Sequence, residues 1–317
     1  LVDPLRQSVS NVKNELNNIK EELDLVEYAM KKKLILGSQR ALQFGGEPIL
    51  KRHAKIYNCT ASYCDRLRFF QECFWLLLCG SGTGFSVQKH HVSKLPTLEH
   101  KPEEGKGRVY VVDDSIEGWA NSLGVLLSSY FSKPVEEFKD WKNTHVIFDF
   151  SQIRAKGSSL ASGVGKAPGY EPLANGLEKI RALLDRCIKN GQKKLRPIDA
   201  YDIVMHSSEA GLSGGVRRSA SLALFSPSDE EMAKAKTGNW YIDNPQRARS
   251  NNSALLLKNE TTFEEFDTLM QSVKEFGEPG FIWSESTEMI FNPCVEIGMW
   301  PVDEASGQSG WQGCNPV

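Results

Sequence analysis

The stretch Asn292-Pro293-Cys294-Val295-Glu296-Ile297, directly after Met289-Ile290-Phe291, sets a carboxamide, a thiol and a carboxylate within five residues. In an extended chain alternate side chains share a face, so Asn292, Cys294 and Glu296 would point the same way. A tight loop would also present all three. Pro293 has no N–H and fits only a loop or an irregular strand. The set suits chemistry that needs a sulfur with a proton acceptor close by. Taken alone, an N-x-C-x-E match describes a buried structural cysteine beside an unrelated glutamate just as well. Its meaning depends on the rest of the chain.

The 317 residues allow one large or two ordinary domains. A hydrophobic content of 40% and a charged content of 25% are those of a globular protein. A net charge of −2 provides no global basic field for nucleic acid. The longest apolar run, Phe74 to Cys79, is too short to span a bilayer, and the polar N-terminus lacks the layout of an export signal. The expectation is therefore no membrane and no nucleic-acid partner. The seven cysteines are odd in number and widely spaced, which points to a reducing, cytoplasmic setting. None forms a C-x-x-C pair, so no metal site is expected.

Along the chain, Val12, Leu16, Ile19, Leu23 and Val26 recur at helical spacing and predict a packing helix over 12–30. Gly37 to Pro48 reads as a loop, and Ile56 to Ala61 as a strand. A helix is predicted from Arg66 to Cys79, ending at Gly80. Gly80-Ser81-Gly82-Thr83-Gly84 follows a helix and enters a strand at Phe85-Ser86-Val87. That order is the reverse of a dinucleotide fingerprint, so the turn reads as a tight connection with close packing. Strands are predicted at Val109–Val112, Val146–Phe150, Leu222–Phe225, Ala254–Leu257 and Phe281–Trp283. Helices are predicted at Ser115–Phe131, Leu173–Lys189, Ile198–Glu209, Asp229–Lys236 and Thr262–Phe276. The small-residue loop from Gly157 to Gly169 contains Lys166 and could approach a ligand. Gly211 to Ser219 is a flexible loop with adjacent Arg217 and Arg218, whose guanidinium groups suit phosphates and base edges but equally a solvated turn. Alternating strands and helices predict an α/β fold with a largely parallel sheet.

Cys59 begins one predicted strand, Cys294 follows another, and Cys314 lies a hairpin-like return beyond Cys294. If the fold brings Cys59 to Cys314, they form a two-electron dithiol beside the Cys294–Glu296 face. Such a pair needs Cα atoms within about 7 Å. The alternative is two ordinary buried cysteines.

Six segments occur in a telling order. They are Tyr57-Asn58-Cys59, Cys79 to Ser86, Gly214 to Ala220, Arg249 to Ser253, Gly277-Glu278-Pro279-Gly280 and Asn292 to Ile297. That order resembles the adenosylcobalamin-dependent, class II ribonucleotide reductases. Glu117-Gly118-Trp119-Ala120 and Asp149 to Arg154 look like the monomeric ribonucleoside-triphosphate reductases in particular. The resemblance runs from about Gly37 to Cys314.

It implies an α/β barrel of ten strands, of which this chain would carry the first half, with the catalytic thiol on a finger loop. It divides the chain into an N-terminal helical region (1–55), first barrel strands and helix (56–108), an insert standing in for a dimer partner (109–155) and a barrel half (156–317). The implied cofactor is adenosylcobalamin, with Cys294 as the thiyl-radical residue. Glu296 would be the base on the ribose 3′-hydroxyl and Asn292 a ribose hydrogen-bonding group. Cys59 and Cys314 would be the reducing dithiol. Asn58, Gly215 and Arg217 would touch the ribonucleotide substrate, and Asp65, Lys166, Ser213 and Arg218 a deoxynucleotide effector. The implied partners are a thioredoxin-like reductant and the remaining half of the barrel. Three alternatives remain: a class I large subunit with a separate metal radical subunit, a non-catalytic nucleotide-binding module, and a thiol oxidoreductase using Cys59 and Cys314. The last is disfavoured by the missing C-x-x-C.

Overall fold

The computed structural model describes residues 4–159, 166–212 and 220–314. Its strands are β1 (Cys59–Tyr63), β2 (Gly82–Ser86), β3 (Gly107–Val111), β4 (His145–Asp149), β5 (Ser221–Phe225), β6 (Asn251–Leu257), β7 (Gly280–Ser284), β8 (Ile290–Phe291), β9 (Gly298–Met299) and β10 (Gln312–Cys314). The main sheet has the order β10-β1-β2-β5-β6-β7. Its five strands β1, β2, β5, β6 and β7 run parallel, and β10 pairs antiparallel with β1. β3 and β4 make a separate parallel pair, and β8 and β9 an antiparallel hairpin.

The helices are α1 (Pro4–Lys31), α2 (Gln39–Phe44), α3 (Glu47–Lys51), α4 (Arg68–Leu78), α5 (Lys89–Val92), α6 (Ile116–Tyr130), α7 (Glu171–Lys189), α8 (Pro197–Leu212), α9 (Glu230–Ala233), α10 (Trp240–Asp243) and α11 (Phe263–Phe276).

Strand alternation sorts the sheet into two apolar faces. Phe85, Ala223, Phe225, Ala254 and Leu256 pack under the helices, in one core with Phe70 and Phe74 of α4, Leu123 and Leu127 of α6, and Tyr201 and Val204 of α8. Cys59, Ala61, Tyr63, Leu222, Leu224, Leu255 and Ile282 point the other way and pack against Ile290 and Met299 of the β8–β9 hairpin and against Cys314. Both faces are covered. This is why β1, β2 and β5 read as continuous buried runs, as strands of a parallel sheet do. Below the sheet, Arg247 of the turn before β6 reaches Asp202 of α8 at 2.7 Å, tying the helix layer to the strand that follows.

Several elements depart from the sequence reading. The segment from Gly37 to Pro48 is helical, forming α2 and the start of α3. Ser38 accepts from the Ala41 amide at 3.1 Å to cap α2, and Arg40 is buried. The strand expected from Ile56 begins at Cys59, because Ile56 still belongs to a 3₁₀ turn, His53–Ile56. α9 stops at Ala233, short of the expected Lys236. The Lys236 ammonium instead sinks to 5% side-chain exposure, bonding the Glu278 carboxylate at 2.8 Å and the Ser250 carbonyl. α1 exists, but its stripe is not packed: Leu16 and Leu23 are about three-fifths exposed, at 60% and 61%. Periodicity identifies an apolar face without identifying what covers it.

α11 agrees with its sequence signals. Thr262 and Glu265 form a reciprocal capping box, and Gly277 ends the helix at φ 71°. Among the described residues, no helix is long and apolar enough to cross a membrane.

Candidate active site

The β8–β9 hairpin carries Asn292 to Ile297 as its tip, lying across the hairpin-facing side of β1 and β2. Two glycines let it approach. A Cβ on Gly84 would stand 1.9 Å from the Phe291 carbonyl oxygen, and one on Gly82 would stand 3.2 Å from Pro293 Cγ and 3.5 Å from Cys59 Sγ. The glycines of the expected tight turn thus lie within β2 and serve as the seat of the hairpin.

The tip is a closed turn rather than an extended strand. Asn292 holds it. Its Oδ1 accepts from the Ile297 amide at 3.0 Å, and its carbonyl accepts from the Val295 amide at 2.9 Å. Val295 sits at φ 69°. A β-branched residue in the left-handed region is strained and persists only where surrounding contacts over-determine it. The turn divides the motif by exposure: Asn292 and Pro293 are buried, while Cys294, Val295 and Glu296 are exposed.

Three sulfurs meet here. Cys59 and Cys314 are directly opposed in the antiparallel pair of β1 and β10. Opposed residues in such a pair have Cα atoms roughly 4.5–5.5 Å apart, inside the span of a disulfide. The Cys294 Sγ lies 3.9 Å from the Cys59 Sγ. The Asn292 amide nitrogen reaches 4.0 Å from the Cys314 Sγ. None of the seven cysteines is in a disulfide. Burial pushes the Cys59 thiol above the ordinary thiol range, opposed by a hydrogen bond from Asn292. Burial raises Cys314 as well, and the Glu296 carboxylate adds to both shifts. Both groups are therefore thiols, not thiolates, at neutral pH. Cys64, Cys73, Cys79 and Cys187 are also buried, and all are pushed up by burial. Cys73 and Cys187 sit in the helix-side core.

Asn58 precedes the first sulfur. Its side-chain oxygen accepts from Arg40 Nε at 3.0 Å, its amide donates to the Cys314 carbonyl at 3.1 Å, and its carbonyl accepts from the Gly82 amide at 2.8 Å. Arg40 also donates to the Gly80 carbonyl. This buried guanidinium bolts α2 to the edge where Cys59 begins. The sequence reading missed it because it lay in a segment assigned as loop. The available signal was Ser38 standing before Gln39-Arg40-Ala41-Leu42, an N-cap residue ahead of helix formers.

The remaining candidates are dispersed. Asp65, just past the end of β1, accepts from Ser309 at 2.8 Å and pairs with Arg66. Arg66 in turn pairs with Glu72, and the Trp311 indole donates to Glu72 at 3.0 Å. This network fastens the segment leading into β10 onto the start of α4. Lys166 is exposed and bridges to Ser159 in backbone pairing. Ser213, Gly215, Arg217 and Arg218 lie outside the described residues.

A parallel α/β sheet whose first strand, edge strand and covering hairpin each bring a cysteine to one point is the arrangement that the resemblance to the ribonucleotide reductases implies. Comparison with known proteins agrees. Residues 87–184 match the family model described as the insertion domain of B12-dependent ribonucleotide reductase. The chain is 32% identical over 209 residues to a probable adenosylcobalamin-dependent ribonucleoside-triphosphate reductase of Dictyostelium discoideum, covering 59% of this chain and 25% of that protein. It is 28% identical over 241 residues to the adenosylcobalamin-dependent ribonucleoside-triphosphate reductase of Lactobacillus delbrueckii subsp. bulgaricus, covering 67% of this chain and 31% of that protein. A solved B12-dependent (class II) ribonucleotide reductase superposes with a TM-score of 0.69 at 21% identity, over 83% of this chain and 44% of that one, and shows the shared fold.

Over part of its length the chain is similar in sequence to the class II ribonucleotide reductases. It spans 25% to 31% of the length of these two curated relatives. The matched insertion segment, 87–184, is wider than the 109–155 insert expected from the sequence; it takes in α5, the β3–β4 pair and α6, together with most of α7.

Proposed function

We propose that this chain supplies the thiol-bearing part of the active site of an adenosylcobalamin-dependent reductase that converts ribonucleoside triphosphates to 2′-deoxyribonucleotides. The observation that carries this reading is the convergence of Cys59, Cys294 and Cys314, with Glu296 on the same exposed tip as Cys294.

The residues suit the named cofactor. The Cys294 thiol is exposed on one side and within 3.9 Å of a second sulfur on the other, as a group needs to be if it loses a hydrogen atom outward and acts on a substrate held inward. Val295 and Trp300, 40% and 50% exposed on the same hairpin, are the described apolar groups that would meet such a cofactor. When bound, adenosylcobalamin supplies an adenosyl radical able to take a hydrogen atom from a thiol.

The chain's own groups then have distinct tasks. The Cys294 sulfur takes the ribose 3′-hydrogen and later returns a hydrogen there. Glu296 holds the 3′-hydroxyl proton, a general-base task for a carboxylate in hydrogen-bond reach. The Asn292 amide nitrogen, aimed at the Cys59 and Cys314 sulfurs, is the donor best placed for the sugar hydroxyls. The 2′-C–O bond breaks and a C–H bond forms, the oxygen leaves as water, and Cys59 and Cys314 give up two electrons and two hydrogens to become a disulfide. Their raised thiol character fits them to deliver hydrogen rather than to act as nucleophiles. A thioredoxin-like dithiol would restore them. The loop 211–219, with Arg217 toward the substrate base and Arg218 and Ser213 toward a deoxynucleotide effector, would couple effector to substrate. Asp65 and Lys166 are further effector candidates.

The test joins this chain to the further length that its relatives carry and assays reduction of a ribonucleoside triphosphate. Turnover that requires adenosylcobalamin is expected. Turnover without it, supported instead by a di-metal radical protein, would overturn the assignment.

A further inference from the structure

A second cluster of reactive side chains lies on the same face of the sheet, at the other end of the strands. Tyr63 ends β1 opposite Ser86 of β2, four residues on from the Cys59–Gly82 pair. That separation is about 13 Å along the strand. Beyond these strand ends, His90 and His91 of α5 meet Glu288 of the loop between β7 and β8. The His90 Nε2 is 2.8 Å from Glu288 Oε1, and the His91 Nε2 is 3.2 Å from Oε2. The three groups' donor atoms all fall within 4.8 Å of one another.

We propose that His90, His91 and Glu288 bind a divalent transition-metal ion, zinc by donor set, at the root of the hairpin that carries Cys294. Two imidazoles and a carboxylate are a common protein donor set for zinc, and metal–ligand bonds of about 2.0–2.2 Å put neighbouring tetrahedral donors about 3.3 Å apart. The two histidine–carboxylate separations, 2.8 and 3.2 Å, lie near that edge length, and all three donors lie within 4.8 Å, so small side-chain adjustments would bring them round one ion.

Three features favour a metal over a plain hydrogen-bonded group. The His90 Nε2 is buried, and its 2.8 Å approach to the Glu288 carboxylate is its one polar contact among the described residues, so it is turned toward the point where the three donors meet. The His91 Nδ1 lies 2.8 Å from the Ser86 hydroxyl, the outer contact that fixes the tautomer of a ligating histidine and leaves Nε2 for the metal. The Tyr63 ring stacks on His91 at 4.0 Å, holding the imidazole plane.

The loop is pre-set around these ligands. The Tyr63 hydroxyl donates to the Glu288 carbonyl, and Gln88 Nε2 donates to the Thr287 carbonyl at 2.7 Å. His90 is the exposed member and Glu288 is one-third exposed, so a fourth position opens toward solvent for water or an anionic oxygen. Only one residue separates Glu288 from β8. The ion would therefore clamp the base of the hairpin whose tip carries Cys294. Sequence inspection missed this set because its donors come from distant segments and include no C-x-x-C.

Equilibrium dialysis of the chain against Zn²⁺ tests the site, with His90→Ala, Glu288→Gln and Cys294→Ser variants alongside. Wild type and Cys294→Ser are expected to hold one Zn²⁺ per chain with similar affinity, while His90→Ala and Glu288→Gln bind at least about tenfold more weakly. Zinc should raise the melting temperature of wild type but not of His90→Ala. His90 is exposed, so His90→Ala decides the matter if Glu288→Gln does not fold. Absence of zinc binding by wild type overturns the proposal. So does wild-type affinity in His90→Ala, or a loss confined to Cys294→Ser, which would place the ion on the sulfurs.

Discussion

Replacing Cys294 with serine is expected to lower deoxynucleotide formation by the completed enzyme by about a thousandfold or more while leaving the fold unchanged. The two expectations have separate grounds. A serine O–H bond is far stronger than a thiol S–H bond, so the hydroxyl does not give up its hydrogen atom and no radical forms at this position to act on the sugar. The side chain is exposed at the tip of the hairpin, and surface substitutions away from special features change stability by only about 0.5 kcal/mol. Asn292, which closes the turn, and the opposed Cys59 and Cys314 are untouched by the change. The checks are product formation under saturating nucleotide and a thermal melt of both proteins. A variant that melts like wild type and keeps turnover within tenfold would remove Cys294 from the reaction. The Gly/Arg loop would then support a nucleotide-binding role instead.

The second large effect is expected at Gly84. Alanine there places a methyl group 1.9 Å from the Phe291 carbonyl oxygen and 3.0 Å from its carbonyl carbon, a clash with backbone that no rotamer relieves. Either β2 or the hairpin must move. Overpacking of this kind costs about 3 kcal/mol. For a chain of this size that lowers the melting temperature by several degrees, at roughly 2–4 °C per kcal/mol. β2 is hydrogen-bonded to a strand on each side and the hairpin strands only to each other, so the hairpin is the part expected to yield; the Cys294 sulfur should then leave the Cys59 sulfur and activity should fall further than stability does. Gly105→Ala is the matched control: it meets nothing within 4 Å and should melt like wild type. Equal melting temperatures for the two variants would show that the hairpin does not rest on β2 as described.

The parts of this site that were legible in the sequence are those specified locally. Thr262 with Glu265, and Gly277, announced both ends of α11, and Ser115 the start of α6, because caps act within a single turn. The alternation of strands such as β5 and β6 with helices announced a parallel sheet, because parallel neighbours need a crossover between them. Cys294 and Glu296 were visible as a pair because five residues contain both. The opposition of Cys59 and Cys314 could be raised from the sequence only as a condition on the fold, which the resemblance then favoured, since no local pattern encodes a pairing of residues so far apart in the chain. Gly82 and Gly84 were recognised as sites of close packing, but what approaches them lies on a hairpin more than 200 residues away in sequence. Arg40 was hidden by its neighbours: glycines on both sides of α2 made a short capped helix read as loop. The exposed stripe of α1 shows the same limit in reverse, a local pattern without a partner to complete it.

The most direct measurement is a single turnover without external reductant, followed by peptide mapping of disulfides. Completed enzyme, adenosylcobalamin and one equivalent of ribonucleoside triphosphate should yield deoxynucleotide and a Cys59–Cys314 disulfide in equal amounts, with Cys64, Cys73, Cys79 and Cys187 still reduced. Deoxynucleotide formed while Cys59 and Cys314 remain thiols, or a disulfide linking either of them to a cysteine of the helix-side core, would contradict the convergence of sulfurs on one sugar.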